Sequence, residues 1–177
     1  AAETKPVIAS MGDVAASGGY YIVAPATKIF ANPNTITGSI GVFGVFPNMN
    51  EFLTEKIGIT SDVVKTNEHA DFGSVFQGLD NEEQMMLRKE INRFYDSFIT
   101  KVAEGRDMTK ERVDEIGRGH VYSGEKALEI GLIDALGGLD EAIAEAVSQA
   151  GIEQYRVVKY PFIEDPIQKI IREMTQN

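Results

Sequence analysis

Apolar positions along this chain change period several times, and each change marks an element. Val7, Ile8, Ala9 and Met11 form a short apolar run that Gly12 and Asp13 interrupt; small residues then surround Ser17 before a second apolar run from Tyr20 to Val23. The first run reads as a buried strand, and the second as a helix opening in Gly18-Gly19. Residues 28–31 (KIFA) read as another strand, stopped by the turn-forming Asn32-Pro33-Asn34. From Thr35 to Val42 small and hydroxyl residues alternate with apolar ones, and Gly38 and Gly41 would let this segment pass close to another backbone.

Helical spacing then takes over. Met49, Phe52, Leu53 and Ile57 recur at that spacing and end at Gly58, as a helix would. Residues 61–66 (SDVVKT) read as a strand, and residues 67–78 as a loop whose Phe72, Val75 and Phe76 either line a groove or tuck into the core. Asp80 with Glu83 three residues on is a capping box, opening a long amphipathic helix through Leu87, Ile91, Tyr95, Phe98 and Val102 to Gly105. Thr109 starts a shorter helix ending at Gly117. Val121-Tyr122 is a brief strand, Ser123 caps a helix through Ile130, and Leu132-Ile133-Asp134 is a strand end. Asp140 starts a helix ending near Gly151, residues 155–160 read as a strand, and Asp165-Pro166 opens a final amphipathic helix. Strands alternating with helices, without repeat or linker, predict one α/β domain over 1–177, with its core in 6–151 and a terminal strand and helix in 152–177.

Composition narrows the chemistry. A hydrophobic content of 43% with 25% charged residues is that of an ordinary globular chain. A net charge of −10 with no Lys/Arg block argues against nucleic acid or anionic lipid as a partner. With no cysteine and only His69 and His120 as imidazoles, disulfides, thiolate chemistry and a histidine-rich metal centre are excluded, and no cofactor is expected. No apolar run reaches the roughly 18 residues of a membrane span. The chain begins without methionine and enters an apolar strand at once, which points to further fold upstream.

The candidate chemistry lies at Ser17. A serine between a strand end and a helix mouth has unpaired backbone N–H groups beside its Oγ, and Gly18 lets a substrate approach without a Cβ in the way. The plainer reading is that Ser17 only caps the helix. Ser39, in Thr37-Gly38-Ser39, is a second hydroxyl in a tight space.

Two stretches, residues 9–42 (ASMGDVAASGGYYIVAPATKIFANPNTITGSIGV) and 121–143 (VYSGEKALEIGLIDALGGLDEAI), together resemble the signal peptide peptidase A (protease IV) family. The resemblance implies a ClpP/crotonase-like spiral of β-β-α units and a serine–lysine dyad. On the matching positions, Ser17 is the nucleophile, the Gly18 N–H an oxyanion donor, and Ser39 the hydroxyl that holds the lysine amine. The lysine position itself departs from the short members' pattern, because Ala70 stands there. Long members take the lysine from one half and the serine from the other, so this chain resembles the C-terminal half of a long member: an incomplete copy of the fold, with its general base outside the chain. Within the chain the weak candidates are Lys65 and, by analogy with Clp-type peptidases, His69. The family further implies a peptide substrate, a homo-oligomer and a bacterial inner-membrane anchor held by other segments, with the catalytic domain facing the periplasm. The rival classes are a crotonase-like acyl-CoA enzyme, for which the chain has no phosphate-binding basic cluster, and a non-catalytic scaffold.

Overall fold

The computed structural model describes residues 4–161. Among these residues, six strands form two three-stranded sheets. In the first, β1 (Ile8–Met11), β3 (Lys28–Ala31) and β6 (Ala135–Leu136) lie parallel in the order β1-β3-β6, with Ala9 opposite Ile29 and Phe30 opposite Ala135. In the second, β2 (Val14–Ala16) runs parallel to β4 (Ile36–Gly38), which pairs antiparallel with β5 (Val121–Ser123). Consecutive strands therefore divide between the sheets: β1 and β2, β3 and β4, and β5 and β6 each contribute one strand to either side.

The helices are α1 (Gly18–Val23), α2 (Asn81–Arg106), α3 (Lys110–Ile116), α4 (Gly124–Glu129) and α5 (Leu139–Ala150), with a short π-helical turn at Phe52–Ile57. Their starts are set locally. Asp80 Oδ1 accepts the Glu83 N–H at 2.8 Å while Glu83 Oε2 accepts the Asp80 N–H at 3.0 Å, the reciprocal box that the spacing predicts. Thr109 and Ser123 cap α3 and α4 through their hydroxyls. At α5 the cap is Gly138 rather than Asp140, and Glu141 accepts the Gly138 N–H.

The core lies between the first sheet and α1, α2, α3 and α4. Tyr20, Ile29, Ile40, Val102, Val113, Ala127 and Leu132 are fully buried, and the Tyr20 hydroxyl donates to the Leu132 carbonyl at 2.7 Å. Arg106 at the end of α2 bonds Asp134 and the Gly131 carbonyl, and Asp134 also accepts the Ile29 N–H, so one carboxylate joins β3 to α2.

Three strand expectations are corrected. Residues 61–66 and 155–160 form no strand, and Val64 is 95% exposed. A β-branched run without a neighbouring ladder has nothing to bond its backbone. Leu132-Ile133-Asp134 is a bend with Leu132 and Ile133 buried and Asp134 exposed, and the strand comes one step later, at Ala135–Leu136. The helix expected after Asp165 lies outside the described residues. Among the described residues no helix is long and apolar enough to cross a membrane.

Candidate active site

Ser17 stands where β2 ends and α1 begins. Its N–H donates to the Gly38 carbonyl at 2.9 Å, which continues the β2–β4 ladder by one rung, and its carbonyl accepts the Tyr21 N–H at 2.9 Å as the first helical bond. Between those bonds the backbone turns at φ 53°, ψ −120°, a region that a residue with a Cβ occupies only at a cost of about 1–3 kcal/mol. The hydroxyl makes no capping hydrogen bond, and the side chain is exposed. The plain N-cap reading therefore does not describe this serine.

Two clefts meet at Ser17. The first, of about 440 Å³, is walled by Tyr21, Val42 and Phe43 and by Phe94, Ser97 and Phe98 of α2, so it is mostly apolar. The second, of about 390 Å³, contains Ser17 and Ser39 together, with Asn92, Tyr95 and Arg118 on its polar side. Ser39 has φ 50° and donates its N–H to the His120 carbonyl at 2.7 Å. Gly38 and Gly41 allow the close approach expected of them: a Cβ on Gly38 would stand 2.8 Å from the Tyr122 ring, and one on Gly41 2.7 Å from the Gly119 nitrogen. The β4 segment is thereby pressed against the β5 side, and Ser39 is carried to the cleft that Ser17 enters.

On the second cleft's rim, Tyr95 donates its hydroxyl to Asp114 at 2.6 Å and accepts the Arg118 N–H at 3.3 Å, and the Arg118 guanidinium closes the triangle on Asp114. The Arg118 hydrogen bond, followed by that of Tyr95, holds the Asp114 carboxyl below its usual value. Partial burial, then the Asp114 bond, pushes the Tyr95 phenol up.

The in-chain base candidates stand elsewhere. Lys65 pairs with Asp71 at 2.7 Å, and that hydrogen bond raises its ammonium above the ordinary lysine value, the opposite of what a neutral base needs. It lines neither cleft, and nor does His69, which faces Glu82 and Glu83. Phe72, Val75 and Phe76 are partly exposed and line neither cleft; Phe72 packs edge-on against Phe46 with centroids 6.1 Å apart. Val42, Phe43 and the α2 residues Phe94 and Asn92 are the walls that pattern reading missed. Phe94 and Asn92 fall off the apolar stripe of α2, and only knowledge of which helix face meets Ser17 would have found them.

The peptidase family S49 model matches residues 1–153. Protease 4 of Salmonella typhi is 46% identical over 156 residues, covering 88% of this chain and 25% of that protein. Protease 4 of Haemophilus influenzae is 44% identical over 142 residues, 80% of this chain and 23% of the relative. The chloroplastic serine protease SPPA of Arabidopsis thaliana is 43% identical over 152 residues, 85% and 22% of the two chains. The chain thus spans about a quarter of the length of these relatives. With the match running through both clefts and every element from β1 to α5, the chain belongs to peptidase family S49, the serine-peptidase family that its two motifs resemble.

Proposed function

We propose that this chain supplies the nucleophile half of a serine endopeptidase, with Ser17 as nucleophile and a serine–lysine dyad completed by a lysine from outside the chain. The observation that carries the reading is the conformation of Ser17: strained backbone, no capping bond, and a hydroxyl at the junction of two clefts. A serine that served only the helix would use its Oγ as a cap and sit in relaxed backbone.

In the proposed reaction Ser17 Oγ attacks the peptide carbonyl and passes its proton to the lysine amine. The Gly18 N–H stabilises the oxyanion, the amine product leaves with the proton returned by the lysine, and water then hydrolyses the acyl-serine by the same route. Ser39 Oγ holds the amine toward Ser17. Such a lysine must be neutral, hence buried and away from carboxylates, and Lys65 beside Asp71 is neither.

The division of consecutive strands between two sheets supports the ClpP/crotonase-like spiral of β-β-α units, here an incomplete copy completed by the missing N-terminal half of the same protein. By family, the substrates are signal-peptide remnants or other membrane-associated peptides, and the enzyme is a homo-oligomer anchored in the bacterial inner membrane with its catalytic domain facing the periplasm. Ser17→Ala in the full-length protein is the test. Peptide turnover should fall by at least about 10³-fold, and serine-directed phosphonate labelling should vanish. Turnover retained in the variant removes the assignment; an unlabelled wild-type protein that binds acyl-CoA points to the crotonase-like class instead.

A further inference from the structure

At the start of α2, ahead of the middle turns that line the clefts, the capping box leaves unused ligand atoms. Asp80 spends Oδ1 on the Glu83 N–H and Glu83 spends Oε2 on the Asp80 N–H, so each carboxylate keeps one free oxygen. Glu83 is nine-tenths buried, with 8% of its side chain exposed, and its Oε1 faces His69 Nδ1 at 3.6 Å, beyond hydrogen-bond reach. His69 Nδ1 is itself fully buried and bonded to nothing. A buried ring nitrogen left 3.6 Å from a carboxylate oxygen, with no hydrogen bond between them, is unfavourable as it stands. One ligand atom from each of His69, Asp80 and Glu83 lies within 4.8 Å of the others.

We propose that His69, Asp80 and Glu83 form a divalent-cation site, suited to Zn²⁺, that fastens the loop of residues 67–78 to the start of α2. The donor set is one imidazole nitrogen and two carboxylate oxygens, which Zn²⁺ accepts, leaving a fourth position for water. The 3.6 Å between Nδ1 and Oε1 is already close to the roughly 3.4 Å edge of a Zn²⁺ tetrahedron built on bonds near 2.0–2.1 Å. The other ring nitrogen, Nε2, points to Glu82 Oε1 at 3.9 Å, the place where a carboxylate orients a metal-bound histidine. Charge favours a cation as well: Asp71, Asp80, Glu82 and Glu83 surround His69, and Lys65 offsets only one of them by pairing with Asp71. The site is independent of the peptidase reading, since neither cleft contains its residues.

The test is Zn²⁺ titration of tag-free full-length protein by calorimetry, with bound metal counted by elemental analysis, in wild type, His69→Ala and Asp80→Asn. His69→Ala leaves the capping box whole, and asparagine caps a helix as well as aspartate, so both variants keep the start of α2. Wild type should bind one Zn²⁺ per chain that His69→Ala does not, Asp80→Asn should weaken that site at least tenfold, and Zn²⁺ should raise the melting temperature of wild type but not of His69→Ala. Equal stoichiometry and affinity in wild type and His69→Ala, or no Zn²⁺ on wild type, overturns the site. Should His69→Ala fail to fold, Asp80→Asn decides alone: unchanged affinity there overturns it too.

Discussion

Ser17 shows how a single residue can be placed against its own stability. Its φ of 53° costs about 1–3 kcal/mol for a residue with a Cβ, and alanine at the same position would carry the same strain without the hydroxyl. Glycine would not. Ser17→Gly should therefore melt a few degrees above Ser17→Ala while being equally inactive, a difference that calorimetry reads directly; equal melting temperatures would mean that the surrounding bonds relax the turn. Tyr20, three residues on, makes the opposite case. Its hydroxyl is buried, desolvation pushes its pKa up, and it donates a hydrogen bond to the Leu132 carbonyl at 2.7 Å. Tyr20→Phe leaves that buried carbonyl without a donor and should lower stability by about 1–3 kcal/mol in urea unfolding, with no change in the clefts, which Tyr20 does not line.

At the scale of elements, α2 is the part whose ends were legible in the sequence and whose role was not. Asp80, Glu83, Thr109 and Ser123 mark helix starts because capping is decided within four residues, and each is found at its cap. The apolar stripe likewise predicts Phe98 and Val102 in the core. Which helix face would meet Ser17 depends on tertiary packing, so Phe94, Ser97 and Asn92 gave no signal as cleft walls. Strands fared worse for the same reason. Residues 61–66 and 155–160 have strand composition and no partner, whereas β2, three small or apolar residues after an aspartate, exists only because β4 lies beside it. The crossing of α2 over α1 is equally non-local: a Cβ on Gly105 would stand 2.3 Å from the Ala24 carbonyl oxygen, an overlap with backbone that no rotamer relieves. Gly105→Ala, favourable in an isolated helix, should here destabilise by about 1–3 kcal/mol and push the end of α2 outward. Thermal melts of the variant decide the sign.

Over the whole molecule, acidic groups tie turns and helix ends locally and, through Glu145 and Lys28, α5 to β3, and the direction of each pKa shift says when they let go. Asp71 is held down by the Lys65 hydrogen bond, Asp114 by Arg118, Glu141 by the Gly138 N–H at the start of α5, and Glu145 by Gln149 and then Lys28. A carboxyl whose folded pKa lies below its unfolded value stabilises the fold above the unfolded value, near pH 4, and loses that contribution as pH falls through the folded one. Lys65 runs the other way. Its folded pKa is raised, so its contribution is complete below the ordinary lysine value, near pH 10.4, and fades as pH climbs through the raised value. The urea midpoint should accordingly stay level from about pH 5 to 9 and fall below about pH 4. Asp114, Glu141 and Glu145 are reached by solvent, so 1 M salt should shrink the acid step by screening the charged pairs, while leaving the Gly138–Glu141 bond in place. Asp114→Asn isolates one contribution: it should lower the midpoint at pH 7 and flatten the acid step, because a neutral amide cannot hold the Arg118 guanidinium through charge. A wild-type midpoint that rises as pH falls below about pH 4 would contradict the assigned directions, since that slope requires the folded protein to bind more protons than the unfolded chain.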